Sequence, residues 1–256
     1  YTACDEMFDG SQGGLDESGD PTPTMVGNAL NTGRGVLIYT GHGSTSSFSS
    51  SGFSSSDVNA LTNVNMLPFI WSVACVNGNF VNTTCFAEAW MRAVYSEEPT
   101  GAIGTLMSTI NQSCDPPMDA HDEMVDIMVE SYTNNIKRTY GGISFNGCFH
   151  MIDQYGGQGE SMADTWTLFG DPSVMVRTAM PGNMTVTHAP TTFLGTSQFQ
   201  VNCNVDDAYV ALTIDNQIIG TGYISGGTVT INFPPLSRVD TLTVAVTANN
   251  YIPYIA

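Results

Sequence analysis

Positive charge is scarce in this chain. Lysine occurs once, at Lys137, and with Arg34, Arg92, Arg138, Arg177 and Arg238 it makes six bases against 24 acids, for a net charge of −18. Such a surface repels nucleic acid and anionic membrane, so neither is expected as a partner. A solvated acidic coat is the plainer reading of it and calcium binding the sharper one; cationic substrates would also suit it. No C-x-x-C pair occurs among Cys4, Cys75, Cys85, Cys114, Cys148 and Cys203, which argues against a zinc ribbon or a thioredoxin-type site. Their spacing is irregular and the chain is not small, so no disulfide framework is expected; most are read as buried thiols, one as reactive. No apolar run reaches the ~18 residues needed to span a membrane. A signal peptide is also missing, and the chain opens on Tyr1, as a processed or truncated product would. Scarce lysine alongside abundant Ser, Thr, Asn and Gly points to an extracytoplasmic protein.

What is present is enough apolar material, 42% of 256 residues, for a large domain and a small one. Residues 1–34 are polar, acidic and rich in Gly and Pro, and read as a surface loop with a short helix near Thr24–Asn31. Gly35–Thr40 is a β-rich apolar run that stops at Gly41-His42-Gly43. A Ser-rich loop, Ser44–Ser56, follows, then a short helix over roughly Val58–Asn63 capped from Ser55-Ser56-Asp57. A second apolar run, Leu67–Ala74, stops at Cys75. Both strands are apolar throughout, as in a parallel sheet covered on both faces. Further elements are a helix over Cys85–Tyr95, a strand in Thr100–Ser108, a helix over Asp119–Ser131, a helix or helix pair over Ile136–Tyr155 and a strand at Ser173–Arg177. The texture changes at Pro181. From there, six or seven short alternating strands, with turns at Asp215-Asn216 and Gly226-Gly227, read as a small immunoglobulin-like sandwich. The expected division is 1–180, an α/β domain, and 181–256, all β.

Parallel neighbours joined by a crossover end on the same edge of their sheet. His42 follows one strand and Cys75 the next, so an imidazole and a thiol arrive at the rim where open α/β sheets bind ligands. That pair is expected to act as nucleophile and acid–base partner in acyl transfer. Either the two meet directly, or the substrate sits between them and His42 acts mainly on the leaving amine. Gly41 and Gly43 are read as letting the backbone approach a substrate closely. The amides of Gly43 and Cys75 are expected to form an oxyanion hole, where one donor is typically worth roughly 3–4 kcal/mol. His121, His150 and His188 are read as surface or satisfied core histidines.

Seven stretches carry a family resemblance: Tyr39-Thr40-Gly41-His42-Gly43-Ser44, Leu67-Pro68-Phe69-Ile70, Ala74-Cys75-Val76-Asn77-Gly78, Cys85-Phe86-Ala87-Glu88-Ala89, Ser108-Thr109-Ile110-Asn111-Gln112-Ser113, Asn135-Ile136-Lys137-Arg138 and Phe169-Gly170-Asp171-Pro172-Ser173. Together they resemble the gingipain family of cysteine peptidases, nearer to its arginine-specific members than to its lysine-specific one. The resemblance covers nearly the whole chain. It implies a caspase-like parallel-sheet catalytic domain, present here as its C-terminal part, followed by an immunoglobulin-like domain. It implies a secreted bacterial endopeptidase with Cys75 and His42 as dyad, Gly43 and Cys75 as oxyanion donors, structural calcium with unmapped ligands, and polypeptide substrates. The Asp119–Asp126 acids are a candidate for the calcium, against the plainer reading of a solvated helix face. The family's N-terminal portion has no counterpart here and is an expected partner; it carries the acid that orients the histidine and the aspartate that binds arginine. By position, Thr40, Val73, Gln112 and Met118 are candidate walls of the S1 pocket. Cys114 stands where arginine-specific members have Trp. Asp115 or Asp119 is a candidate S1 acid, against the plainer reading of an exposed loop acid. A transpeptidase, or a non-catalytic surface adhesin built on the immunoglobulin-like part, are the competing expectations.

Overall fold

The structure, a computed structural model, describes residues 4–256. It divides into two compact units, the first ending at Thr178 and the second spanning Ala179–Ala256. Along residues 4–22 the chain is the irregular polar segment expected, the first three residues of that expectation lying outside those described. Asp16 accepts the Phe8 and Gln12 amides, and Arg34 pairs with Asp5 at 2.6 Å.

The hydroxyl of Thr22 accepts from Met25 N–H and caps α1 (Pro23–Asn31), whose proline sits where a missing N–H costs nothing. β1 (Val36–Thr40) follows. The serine-rich stretch after it is not a loop. It folds into a small antiparallel sheet of β2 (Gly43–Ser44), β3 (Ser47–Phe48) and β4 (Phe53–Ser54). Two aromatics among the serines drive this. Phe48 and Phe53 are fully buried, Phe48 edge-on to Phe86 and Phe53 stacked on Trp90. Asp57 accepts from the Ser54 amide in a capping box, so α2 (Ser55–Asn59) begins earlier than the sequence suggested. Then come β5 (Phe69–Val73), α3 (Phe86–Arg92), a two-residue-per-strand hairpin of β6 (Val94–Tyr95) and β7 (Glu98–Pro99), and β8 (Gly104–Ser108). α4 (Asp115–Met128) starts on Asp-Pro-Pro, and α5 (Tyr140–Tyr155) starts where the Thr139 hydroxyl accepts from Gly142 N–H. α6 (Gly157–Ala163) and β9 (Trp166–Gly170) complete the unit.

The main sheet has the order β1-β5-β8-β9, with β1, β5 and β8 parallel and β9 antiparallel to β8. The strand expected at Ser173–Arg177 is instead a turn, in which Asp171 accepts from both the amide and the hydroxyl of Ser173, followed by an isolated bridge from Met175 to Thr139. Alternation along the strands sends Ile70 and Met107 into a core with Phe48, Phe86 and Trp90. Phe69, Trp71 and Leu106 enter a second core with Met124, Ile127 and Tyr140 on the opposite face. Coverage on both faces thus holds for β5 and β8, every residue of which is buried. It does not hold for β1, where Ile38 is 46% exposed.

In the second unit, β10 (Val186–His188), β11 (Gln198–Cys203) and β14 (Thr228–Asn232) form one antiparallel sheet. β12 (Tyr209–Ile214), β13 (Gln217–Tyr223), β15 (Thr243–Thr247) and β16 (Tyr254–Ile255) form the other. Val201, Val210, Leu212, Val244 and Val246 fill the space between them. Asp215 and Asn216 both adopt positive φ, the conformation that a two-residue hairpin turn requires.

Two buried polar ties hold β5 to α5. Trp71 Nε1 donates to Ser144 Oγ at 2.9 Å, and Tyr140 OH donates to the Ile70 carbonyl. Replacing Ser144 by Ala strands the indole N–H in the core. We predict a loss of about 1–3 kcal/mol in unfolding free energy, measured by denaturant titration.

Candidate active site

β1 and β5 pair with Thr40 opposite Val73, and the ladder ends with Gly41 N–H donating to the Val73 carbonyl at 3.1 Å. His42 lies two residues beyond Thr40, and Cys75 two residues beyond Val73. Both therefore leave the sheet from the same rim at the same offset. Cys75 is partly exposed and His42 exposed.

The two loops are in backbone contact. A Cβ added to Gly43 would lie 2.7 Å from the Cys75 carbonyl oxygen and 2.8 Å from the Ala74 Cβ. The glycine is thus required by the backbone around Cys75 itself. Asn77 fastens the contact. Fully buried, its Nδ2 donates to the carbonyls of Ser44 and Ser47 at 2.6 and 2.9 Å, while its Oδ1 accepts from Ser72 Oγ at 3.2 Å. The histidine loop and the cysteine loop are joined through this one side chain, which the sequence reading quoted in a motif without assigning it a role.

The turn after Cys75 is strained. Val76 is β-branched yet sits at φ 52°, a conformation costing of order 1–3 kcal/mol. It is held there by Val76 N–H on the Ile110 carbonyl at 3.0 Å and Gly78 N–H on the Ser108 carbonyl at 2.8 Å. The amide of Cys75 has no hydrogen-bond partner among the described residues and remains available as a donor.

Gln112 contributes through its backbone. Its N–H points at Cys75 Sγ at 3.4 Å, while its side-chain amide donates to Ser108 Oγ at 2.6 Å. The other expected pocket residues divide. Thr40 and Met118 are exposed and Val73 is buried at the strand end. Cys114 and Asp115 line a shallow cavity with Ser113, Pro116, Tyr155 and Gln158. Asp119 is occupied elsewhere, 3.2 Å from His150 Nε2. The His42 ring makes no hydrogen bond to Cys75 Sγ, nor to any carboxylate, among the described residues. His121 is a core histidine, one of the two settings expected, but only partly satisfied: Nδ1 lies 3.1 Å from Thr40 Oγ1, while Nε2 has no partner among the described residues.

All six cysteines are free, as the absence of a framework predicted, but only Cys85, Cys148 and Cys203 are buried. Desolvation pushes the Cys148 thiol up to about 12, and Cys85 upward as well.

The fold and rim define a class: an α/β sheet, mainly parallel, that presents a histidine and a cysteine at one edge and is followed by an immunoglobulin-like sandwich. The chain belongs to peptidase family C25, whose model matches residues 9–177, and the C-terminal Ig-like domain of that family matches residues 182–256. It is 44% identical over 230 residues to gingipain R1 of Porphyromonas gingivalis, covering 90% of this chain and 23% of that one. It is 44% identical over 237 residues to gingipain R2 of Porphyromonas gingivalis strain W83, covering 91% and 32%. The crystal structure of the Arg-specific cysteine proteinase gingipain R superposes with a TM-score of 0.88 at 41% identity, covering 94% of this chain and 56% of that one. The chain thus spans a quarter to a third of the length of these curated relatives.

Among the described residues, no three His, Cys, Asp or Glu side chains converge as a metal cage. Three of the four Asp119–Asp126 acids are engaged instead. Asp119 holds His150, Glu123 accepts from Tyr132, and Asp126 accepts from Ser131. These residues do not fit the calcium ion that the resemblance implied. Among the described residues, no helix is long and apolar enough to cross a membrane, as the sequence predicted.

Two predictions follow from this geometry. Gly43→Ala forces the histidine loop away from Cys75 and should lower kcat/KM about a hundredfold with a peptide substrate, since a displacement of ~1 Å costs that much. In a native thiol titration at pH 8, Cys4, Cys75 and Cys114 should react, whereas all six cysteines react in denaturant.

Proposed function

We propose that the protein to which this chain belongs is a secreted cysteine endopeptidase, with Cys75 as nucleophile and His42 as acid–base group, cleaving after basic residues. One observation carries the reading: the register that sets Thr40 opposite Val73 sends His42 and Cys75 to one rim at equal offsets. Cys75 gives its thiol proton to His42 and attacks the scissile carbonyl carbon as the thiolate. The developing oxyanion is received by the amides of Gly43 and Cys75, the latter free to donate. With no bond between the His42 ring and Sγ, the substrate lies between them. His42 gives its proton to the departing amine, then takes one from the water that hydrolyses the thioester. Gln112 N–H keeps Sγ in place throughout.

Thr40, Val73, Gln112, Cys114, Asp115 and Met118 form the proposed substrate-binding set. The −18 charge favours basic peptides. The carboxylate that pairs with a basic P1 side chain, and the one that orients His42, are assigned to a part of the protein beyond these 256 residues, the N-terminal portion being the expected partner. The unpartnered His42 ring supports this, as does the 56% coverage of the gingipain R chain. Export is supported by the scarcity of lysine and by family membership. No feature of the described residues favours transpeptidation or an adhesin over hydrolysis.

The test uses the complete protein and a peptidyl chloromethyl ketone with Arg at P1. Labelling at Cys75 alone, with Cys75→Ala cleaving no peptide, is the expected result. An unlabelled Cys75 in the complete protein would overturn the reading in favour of an adhesin, and products carrying an added amine would reassign it to transpeptidation.

A further inference from the structure

His121 lies on α4 beneath the catalytic rim, 4% exposed, with Nδ1 3.1 Å from Thr40 Oγ1. Its Nε2 is buried without a partner. Desolvation is the chief influence on the ring, partly offset by the Trp71 carbonyl, and it lowers the imidazole to about 4, so the group is neutral at neutral pH. An apolar side chain of similar volume would fill this space without an unsatisfied nitrogen. The imidazole therefore costs stability where it sits, which directs attention to what its bonded nitrogen does.

That nitrogen holds the last residue of β1. β1 is the least covered of the three parallel strands, with Ile38 46% exposed on the face that Thr40 shares. β5 has two polar ties to α5, whereas Thr40 Oγ1–His121 Nδ1 is the side-chain hydrogen bond that β1 makes to the helices on this face, among the described residues. Thr40 is exposed, faces Val73 across the ladder and precedes His42 by two residues.

We propose that His121 is a positioning residue: its buried imidazole holds the Thr40 hydroxyl and so fixes the wall against which a basic substrate side chain packs beside Cys75. Neutrality serves the same end, since a charged ring under this wall would repel a cationic side chain. The assignment rests on the peptidase reading, and on Thr40 as a substrate contact within it.

The experiment compares two reagents on the complete protein: the Arg chloromethyl ketone, which must occupy the side-chain pocket, and iodoacetamide, which needs only the Cys75 thiol. His121→Leu should slow labelling by the Arg reagent about five- to tenfold and raise KM for an Arg peptide in proportion, with kcat falling less and iodoacetamide labelling within about twofold of wild type. His121→Gln, which restores a polar partner for Thr40, should recover most of the loss. Thr40→Val should reproduce it, and the double variant should lose no more than either single one. His150→Gln, on the same helix pair but half-buried against Asp119 and away from Thr40, should behave as wild type. Should His121→Leu fail to fold, Thr40→Val and His121→Gln still give the comparison, because neither empties the core. Unchanged Arg-reagent kinetics in His121→Leu, an equal loss with iodoacetamide, or additive losses in the double variant would overturn the proposal while leaving the peptidase intact. A wild-type protein unlabelled at Cys75 would remove both.

Discussion

Parallel pairing between β1 and β5, in the register that sets Thr40 opposite Val73, is the constraint on which the site depends. Side chains in a strand alternate with period two, so a slip of one residue would move every core residue of β1 to the other face. It would also break the equal offsets of His42 and Cys75. The register is held from both sides of the sheet: Leu37 and Tyr39 pack into one core and Val36 into the other.

Beyond the end of the ladder, the backbone needs other restraints. Asn77 supplies them by answering two carbonyls of the histidine loop and one hydroxyl of β5 with a single buried amide. Gly43 lets the loops touch, and Val76 shows what the contact demands of the chain, a β-branched residue in a left-handed conformation. Active sites commonly store such strain, and surrounding bonds hold it in place. The polar ties from α4 and α5 do the same work from below, through His121, Ser144 and Tyr140. The site is thus framed by buried polar contacts set against an apolar sheet, each bond a restraint on where the rim lies.

Much of the fold was legible in particular residues. The two apolar runs that break off at Gly-His-Gly and at Cys75 read as strands because their hydrophobicity is continuous, and they are strands. The Asp215-Asn216 turn and the alternation of β11 and β12 disclosed the sandwich. Other segments misled for physical reasons. Ser44–Ser56 is mostly serine, and its structure comes from two phenylalanines whose partners, Phe86 and Trp90, lie some 40 residues on. Ser173–Arg177 has strand-like composition but pairs only through the isolated bridge from Met175 to Thr139, the place beside β8 being held by β9.

The sequence by itself determined the α/β-then-β order, the family, and the pair of residues to watch, because those follow from local periodicity and from short motifs. Tertiary structure alone decided which polar groups frame that pair. Asn77, Gln112 and His121 reach their partners across 30, 37 and 81 residues of chain. Tertiary structure also separated Asp115, which lines a shallow cavity with Tyr155 and Gln158, from Asp119, taken up by His150. A hydrogen bond is set by distance and direction in space, and a linear pattern carries neither until the sheet has closed.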